Sequence, residues 1–192
     1  MKNIAIFASG GGSNARKIIE HFQNSAVGKV VLVVSNKKDA GVLDIAREHN
    51  IPTQLLQRAL FYETKEILSV LQNHAVDLIV LAGFLWLVPS YLVQAYPRKI
   101  VNIHPALLPQ FGGKGMYGGY VHAAVKAAGA KVSGITIHFA NEHYDEGDII
   151  FQASCALTEE DSPETIARKV LVLEHEHYPR VIEGLIKVDE GL

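Results

Sequence analysis

The stretch VNIHPALLP, at residues 101–109, places an amide and an imidazole two positions apart in an otherwise apolar run. An asparagine amide can donate a hydrogen bond to a developing oxyanion, and a histidine can donate or accept a proton near neutral pH. Side chains two positions apart on a strand share one face, so Asn102 and His104 project together. Pro105 cannot continue a hydrogen-bonded ladder, so the pair stands at the end of its strand. These residue types suit acyl transfer.

The chain shows no motif for a nucleophile of its own. No Gly-x-Ser-x-Gly elbow occurs, and the single cysteine, Cys155, lies in a late strand region. The nucleophile is therefore predicted to come from the substrate. For His104, a structural histidine satisfied by hydrogen bonds is the alternative interpretation.

A second polar segment is HFANEHYDEGDII, at residues 138–150, which crosses from one predicted strand to the next. It carries the carboxylates Glu142, Asp145, Glu146 and Asp148. An acidic group beside His104 would raise the pKa of the imidazole and could accept or relay a proton. The sequence does not choose among the four carboxylates, and a solvated loop is the alternative.

The histidines do not follow the spacing of a metal site. Six of the nine fall at or after His104, but no HExxH motif occurs. His175 and His177 lie two apart in a predicted helix and so point to different faces. We expect no metal.

The glycine-rich loop FASGGGSNA, at residues 7–15, follows the first predicted strand and opens the first helix. Its amides and the helix dipole favour an anion, so the loop predicts phosphate binding. A dinucleotide site would want a carboxylate at the end of the second strand, and that strand ends in VVSN, with no carboxylate before Asp39. A P-loop would end in Gly-Lys-Ser/Thr, whereas Gly12 is followed by Ser13. A tight turn with Ser13 as helix cap is the alternative.

The elements that position these residues alternate along the chain. Short runs rich in Ile, Val and Leu, without polar alternation, indicate strands covered on both faces, at residues 4–8, 30–34, 78–82 and 100–103. Helical spacing lies between them at residues 14–23, 41–49 and 61–74. The alternation predicts an α/β fold, a Rossmann-like, open and mostly parallel sheet with helices on both faces and ligands beyond the carboxyl ends of the strands.

The rest of the chain adds two predicted strands, at residues 133–139 and 148–153, and a long amphipathic helix. That helix is predicted to begin with Ser162 as cap and a proline at its first position, and to reach about Ile186. A length of 192 residues fits one domain. We expect a single domain over residues 1–192.

Composition bounds the class of protein. Hydrophobic residues make up 48% of the chain and charged residues 20%, which indicates a globular fold rather than disorder. A net charge of −2 without a basic stripe disfavours nucleic acid as partner. The longest apolar run is too short to span a bilayer, and no targeting segment is evident. We therefore expect a cytoplasmic protein with no membrane partner.

Together these segments resemble the phosphoribosylglycinamide formyltransferase family, the folate-dependent enzymes of purine (IMP) biosynthesis. The resemblance covers essentially the whole chain, since SGGGSN, LAGFLWLVP, NIHPALLP, HAAVKAAG, SGITIHF, YDEGDIIFQ and EHEHYP occur in the order of the family. NxHPxLLP with a downstream DxGxII is specific to folate formyltransferases. The resemblance implies the α/β formyltransferase fold, with a phosphate-binding half at about residues 1–100 and a catalytic and folate-binding half at about 80–192.

The implied reaction moves a formyl group from 10-formyltetrahydrofolate to the amine of 5-phosphoribosylglycinamide, without a metal. Asn102, His104 and Asp145 match the catalytic positions of the family. Asn102 and His104 would stabilise the tetrahedral oxyanion. Asp145, directly or through a water, would keep His104 charged and assist proton transfer.

The resemblance also assigns the nucleotide substrate. Gly12, Ser13 and Asn14 match the loop that holds the ribonucleotide phosphate. Glu174 matches a residue that contacts the glycinamide part of the substrate. Small molecules are thus the implied partners, and the chain is expected to be a monomer or a homodimer.

The folate is assigned to the segment that holds the pterin ring, Phe84, Leu85, Trp86, Leu87 and Val88. Many relatives carry Arg at the position of Trp86. His138 matches a family histidine that borders the site. The alternative interpretation of His138 is a structural strand residue that is hydrogen-bonded to the backbone. His122 matches more weakly, at the end of the segment 110–122, whose five glycines imply a mobile or closely approached backbone.

Several rival functions share part of this pattern. Methionyl-tRNA formyltransferase and formyltetrahydrofolate deformylase share the Asn, His and Asp set, but the first is expected to carry a further C-terminal domain and a basic surface, and the second an N-terminal regulatory domain. A non-catalytic folate or nucleotide sensor on the same fold is a third alternative. A Rossmann dehydrogenase is a fourth, disfavoured by the missing carboxylate after the second strand.

Overall fold

The computed structural model describes residues 1–189 as a central sheet covered by helices. Its strands are β1 (Lys2–Phe7), β2 (Gly28–Ser35), β3 (Thr53–Leu55), β4 (Leu78–Leu81), β5 (Ile100–His104), β6 (Val132–Phe139) and β7 (Ile149–Ala156). The spatial order is β3-β2-β1-β4-β5-β6-β7. The five strands from β3 to β5 are parallel, while β6 is antiparallel to both of its neighbours. This confirms the predicted open, mostly parallel sheet.

The helices are α1 (Ser13–Phe22), α2 (Gly41–Glu48), α3 (Arg58–Glu63), α4 (Glu66–Asn73), α5 (Ser90–Ala95), α6 (Gly119–Ala127) and α7 (Pro163–Asp189). They cover both faces of the sheet because alternate residues of each parallel strand enter separate cores. Ile4 and Ile6 pack in the core that contains α1, α2, α6 and α7. Ala5 and Phe7 pack in the core that contains α3, α4 and α5. No helix among residues 1–189 is long and apolar enough to cross a membrane.

The structure corrects several sequence predictions. The helix predicted over 61–74 is two helices, because Thr64 is extended (φ −122°, ψ 177°) and its hydroxyl accepts a hydrogen bond from the Glu66 amide at 3.3 Å. The strand β3 and the helices α5 and α6 had not been predicted. β3 has only three residues, too few for a period to show, and α6 begins in the glycine-rich segment.

Two helix starts differ in their capping. Ser162 caps α7 as predicted, since its hydroxyl accepts a hydrogen bond from the Thr165 amide at 3.3 Å. The predicted cap by Ser13 is wrong, because Gly12 caps α1 in the left-handed conformation (φ 81°) and Ser13 is the first helical residue. A Cβ on Gly12 would lie 2.8 Å from the Cα of Val42, so α1 and α2 approach too closely for any side chain there.

Candidate active site

A cavity of about 960 Å³ opens beyond the carboxyl ends of β1, β4 and β5. Parallel α/β sheets place ligand sites at this edge, because the loops that follow the strands diverge there. Ser9 lines the cavity after β1, Gly83 after β4, and Asn102 and His104 at the end of β5. The cavity lies at the edge of the sheet that the alternation of strands and helices predicted.

His104 is held between a backbone carbonyl and a carboxylate. Its side chain is almost fully buried, with Nε2 2.7 Å from the carbonyl oxygen of Phe111 and Nδ1 3.4 Å from Oδ2 of Asp145. A carbonyl only accepts, so the neutral ring carries its hydrogen on Nε2. A second proton would therefore bind Nδ1, facing Asp145.

Burial and the neighbouring Asp145 act in opposite directions on the pKa of His104. Burial lowers the pKa of its imidazole, and His138 lowers it further, while Asp145 and the carbonyl of Phe111 raise it. Burial outweighs the carboxylate, so the net shift is downward. The acidic neighbour raises the pKa of His104 as expected, but its effect is smaller than that of burial.

Asp145 is the carboxylate of the β6–β7 loop that reaches His104. Its backbone is left-handed (φ 59°), which aims the side chain inward, and the amide of Gly113 donates to Oδ2 at 3.0 Å. Burial raises the pKa of Asp145, but the neighbouring His138 and His104 and the hydrogen bond from the Gly113 amide outweigh burial, and the pKa is lowered. The remaining candidates Glu142, Glu146 and Asp148 are exposed.

Asn102 meets a histidine from the next strand. Asn102 and His138 stand opposite each other in the antiparallel pair β5 and β6, and Asn102 Nδ2 lies 3.0 Å from His138 Nε2. His138 Nε2 is also 3.6 Å from Oδ1 of Asp145, and its Nδ1 lies 3.0 Å from the carbonyl oxygen of Phe139. Asn102, His104, His138 and Asp145 thus form one continuous cluster, called the β5 cluster below.

Asn14 and Glu174 form a second polar pair in the same cavity. Asn14 Nδ2 donates to Glu174 Oε2 at 2.6 Å, and Asn14 Oδ1 is buried without a hydrogen-bond partner. Burial raises the pKa of Glu174, and the bond from Asn14 only partly offsets this. Both side chains offer acceptor atoms that a ligand with donor groups would satisfy.

Gly12 and Ser13 lie apart from that pair. They line a neighbouring cavity of about 480 Å³ together with Arg16, Lys17 and His175. The first amides of α1 have no partner within the helix. The lining also holds the carboxylates Asp44 and Glu48, and Glu48 pairs with Arg16 at 2.8 Å. The sequence-predicted loop is thus divided between two adjoining cavities.

The segment from Phe84 to Val88 lines the main cavity with all five residues. Phe84 packs edge-on against Phe7, with ring centroids 5.4 Å apart, and Trp86 packs against Phe61 at 5.8 Å. The guanidinium of Arg58 lies 5.4 Å from the centroid of Trp86. The result is an aromatic wall with one cation at its edge.

Two contributors to the site were not found from the sequence. The backbone of Phe111 and Gly113 contacts His104 and Asp145, a role that no side-chain motif reveals. Thr136 is fully buried, and its hydroxyl donates to the carbonyl of Ala106 at 2.7 Å and accepts from the amide of Leu108 at 2.9 Å. A hydroxyl in an apolar strand, two residues before His138, was the available signal.

His122 and metal binding are the remaining features predicted for the site. His122 lines the cavity from α6, its Nδ1 has no partner, and burial followed by the charge of His104 lowers its pKa. Across residues 1–189, no group of three or more His, Cys, Asp or Glu side chains is arranged to hold a metal ion.

Comparison with known proteins gives a consistent set of relatives. Residues 2–182 match the model of the formyl transferase family. The chain is 48% identical over 190 residues to the chloroplastic phosphoribosylglycinamide formyltransferase of Arabidopsis thaliana, covering 96% of this chain and 65% of that protein. It is 39% identical over 194 residues to the phosphoribosylglycinamide formyltransferase of Bacillus subtilis (strain 168), covering 97% of this chain and 95% of that protein. The chain therefore spans less than two thirds of the plant relative and almost all of the bacterial one.

Solved structures resemble the fold closely. The crystal structure of phosphoribosylglycinamide formyltransferase from Bacillus halodurans has a TM-score of 0.88 at 37% identity and covers 100% of this chain and 98% of that chain. The corresponding structure from Anaplasma phagocytophilum has a TM-score of 0.89 at 33% identity, with 97% and 87% covered.

Proposed function

The chain belongs to the formyl transferase family, and on that premise we propose that it transfers a formyl group from 10-formyltetrahydrofolate to the amine of 5-phosphoribosylglycinamide in purine (IMP) biosynthesis. The β5 cluster carries the proposal. It combines an amide donor with a buried imidazole and carboxylate, 3.4 Å apart, beside a cavity that also holds the Asn14–Glu174 pair. These groups suit attack by a substrate amine on a formyl carbon.

In the proposed reaction the amine nitrogen attacks the formyl carbon and a tetrahedral oxyanion forms. Asn102 donates to this oxyanion. His104 donates from Nε2, and the substrate oxygen replaces the carbonyl oxygen of Phe111, which lies 2.7 Å from this atom. The proton that the attacking nitrogen loses is taken up by His104, which becomes charged, and it passes to N10 as the carbon–N10 bond breaks. No oxidant or metal enters this balance.

Asp145 is the proposed anchor of the charge that develops on His104. Since Nδ1 of His104 faces Oδ2 of Asp145, a ring protonated on Nδ1 forms an ion pair with little access to solvent. The lowered pKa of Asp145 keeps this carboxylate ionised at neutral pH. Burial lowers the pKa of the His104 imidazole, so the ion pair is strongest when the reaction charges the ring.

The nucleotide substrate is proposed to bind with its phosphate at the amides of Gly12, Ser13 and Asn14. Helix starts with unpaired amides bind anions well. The buried acceptors of Asn14 and Glu174 would receive hydrogen bonds from the glycinamide part. The division of the loop between two cavities supports a phosphate at the boundary and the amine in the main one.

The folate is proposed to lie against the aromatic wall formed by the segment from Phe84 to Val88. A planar pterin gains large contact area there, and the backbone of the segment can pair with its polar edge. Trp86 supplies apolar contact where many relatives carry Arg. The cytoplasmic location and the monomeric or homodimeric state stay predictions.

The test is to mix the purified protein with 10-formyltetrahydrofolate, with and without phosphoribosylglycinamide, and to follow the absorbance of the deformylated folate. Deformylation that depends on the amine supports the proposal. Deformylation without the amine would instead indicate a hydrolase. No reaction with either mixture, together with measurable binding of both ligands, would indicate a binding protein.

A further inference from the structure

We propose that His138 is a positioning residue that fixes the orientation of the Asn102 amide. Its neutral ring carries the hydrogen on Nδ1 and accepts from Asn102 through Nε2. The second N–H of Asn102 is thereby directed at the oxyanion. This inference rests on the proposed formyl transfer, and it gives His138 a role different from that of a folate contact.

The contact between these residues is built into the sheet. Asn102 and His138 are directly paired across β5 and β6, where opposite side chains on one face are neighbours. The pairing of β6 with β7 also shifts between Ile137 and His138. The extra residue, Ile150, lies on β7, and irregularities of this kind occur often beside active sites.

The hydrogen bonds of the ring determine its tautomer. The carbonyl of Phe139 lies 3.0 Å from Nδ1 and can only accept, so Nδ1 carries the hydrogen. Nε2 is then an acceptor, and only the NH₂ end of the Asn102 amide can satisfy it at 3.0 Å. A flipped amide would turn its oxygen against the lone pair of Nε2. His138 is 2% exposed, so water cannot repair that loss.

A rival arrangement involves Asp145. Its Oδ1 lies 3.6 Å from Nε2 of His138, longer than the contact with Asn102. A ring that carried its proton on Nε2 would donate to Asp145 and release the amide of Asn102. The charged and titratable groups that face His138 are thus Asp145 and, through it, His104. The two arrangements predict different partners for the same nitrogen.

The matched variants are His138→Gln and His138→Asn. A glutamine side chain reaches about as far as Nε2 and can still accept from Asn102, whereas an asparagine reaches only as far as Nδ1. We expect His138→Asn to lower kcat about 100-fold, the cost of a misdirected catalytic group, with the KM of both substrates unchanged. His138→Gln should retain most of the wild-type kcat. Equal losses in the two variants, or a rise confined to the KM for folate, would overturn the proposal.

Coupling to Asn102 gives the second readout. In an Asn102→Ala background, His138→Asn should cause no further loss of kcat, because the amide that His138 orients is absent. If the losses of kcat from the two substitutions multiply, His138 acts through a partner other than Asn102. If the effect of His138→Asn vanishes only in an Asp145→Asn background, that partner is Asp145. Thermal unfolding of each variant separates these effects from misfolding.

A measurement on the wild-type chain does not depend on turnover. Ring ¹⁵N chemical shifts of His138 should show the hydrogen on Nδ1 and a free Nε2 that is coupled to the side-chain amide of Asn102. A hydrogen on Nε2 would overturn the inference even if formyl transfer is observed. Conversely, a wild-type chain without formyl transfer but with this tautomer would contradict the proposed function and leave the contact intact.

Discussion

Replacing Asp145 by Asn should remove the charge that the reaction uses while leaving the backbone in place. Asp145 is left-handed (φ 59°), a conformation that Asn tolerates as well as Asp. The new amide oxygen can still accept from Gly113. Asp145→Ala would add backbone strain of about 1–2 kcal/mol, so Asn isolates the electrostatic effect.

The magnitude follows from the distance. Two unit charges 3.4 Å apart attract by about 5 kcal/mol at an effective dielectric constant of about 20. The amide dipole of Asn returns part of this energy, so we expect kcat to fall by about 100-fold to 1000-fold at about 1.4 kcal/mol per tenfold. The loss should appear in kcat rather than KM, because burial lowers the pKa of His104 and the ion pair gains most of its strength when the reaction charges the ring.

The assay is amine-dependent deformylation of 10-formyltetrahydrofolate at saturating concentrations of both substrates. Asp148→Asn is the matched control, since it makes the same change in the same loop at an exposed carboxylate paired with Arg98. It should stay within about twofold of the wild-type kcat. Retention of more than about a tenth of kcat by Asp145→Asn would refute the role assigned to the ion pair.

Three further predictions concern stability, each measured by urea denaturation. Gly147→Ala should destabilise by about 3 kcal/mol, because its Cβ would lie 1.7 Å from the carbonyl oxygen of Phe139, whereas Gly184→Ala, in open space on α7, should stabilise by up to about 1 kcal/mol. Thr136→Val should cost about 1–3 kcal/mol by leaving buried backbone groups after His104 without partners. Because burial lowers the pKa of His104 in the folded chain, the unfolded chain binds more protons as pH falls below about 6.5. The free energy of unfolding should therefore decrease there, and His104→Gln should make it depend less on pH.

The sequence predicted the structural features that follow from local periodicity. It did not predict those that depend on strand register or loop conformation. Asn102 and His104 were paired correctly because strand residues two apart share a face. Asp145 could not be chosen from four carboxylates by spacing, since its left-handed backbone decides which of them turns inward. The contact between Asn102 and His138 requires the register of two strands 36 residues apart, which no local pattern contains.

The net pKa shift at His104 could not be predicted from the sequence for a related reason. A carboxylate neighbour is a pairwise feature that a motif can suggest, whereas burial is a property of the whole fold. The split of the glycine loop between two cavities also depends on how α1 packs against α2. That packing depends on Gly12, which the sequence indicated as part of a phosphate-binding turn but not as a contact between helices.

The buried hydroxyl of Tyr178 connects α7 to β4 and β5. Its oxygen lies 2.9 Å from the carbonyl oxygen of Leu81 on β4 and 3.0 Å from that of Val101 on β5. Glu174 stands one helical turn before it, and Asn102 directly follows Val101. The distance between Glu174 and Asn102 is therefore set by fully buried contacts, so the proposed acceptor must match that distance to reach both residues.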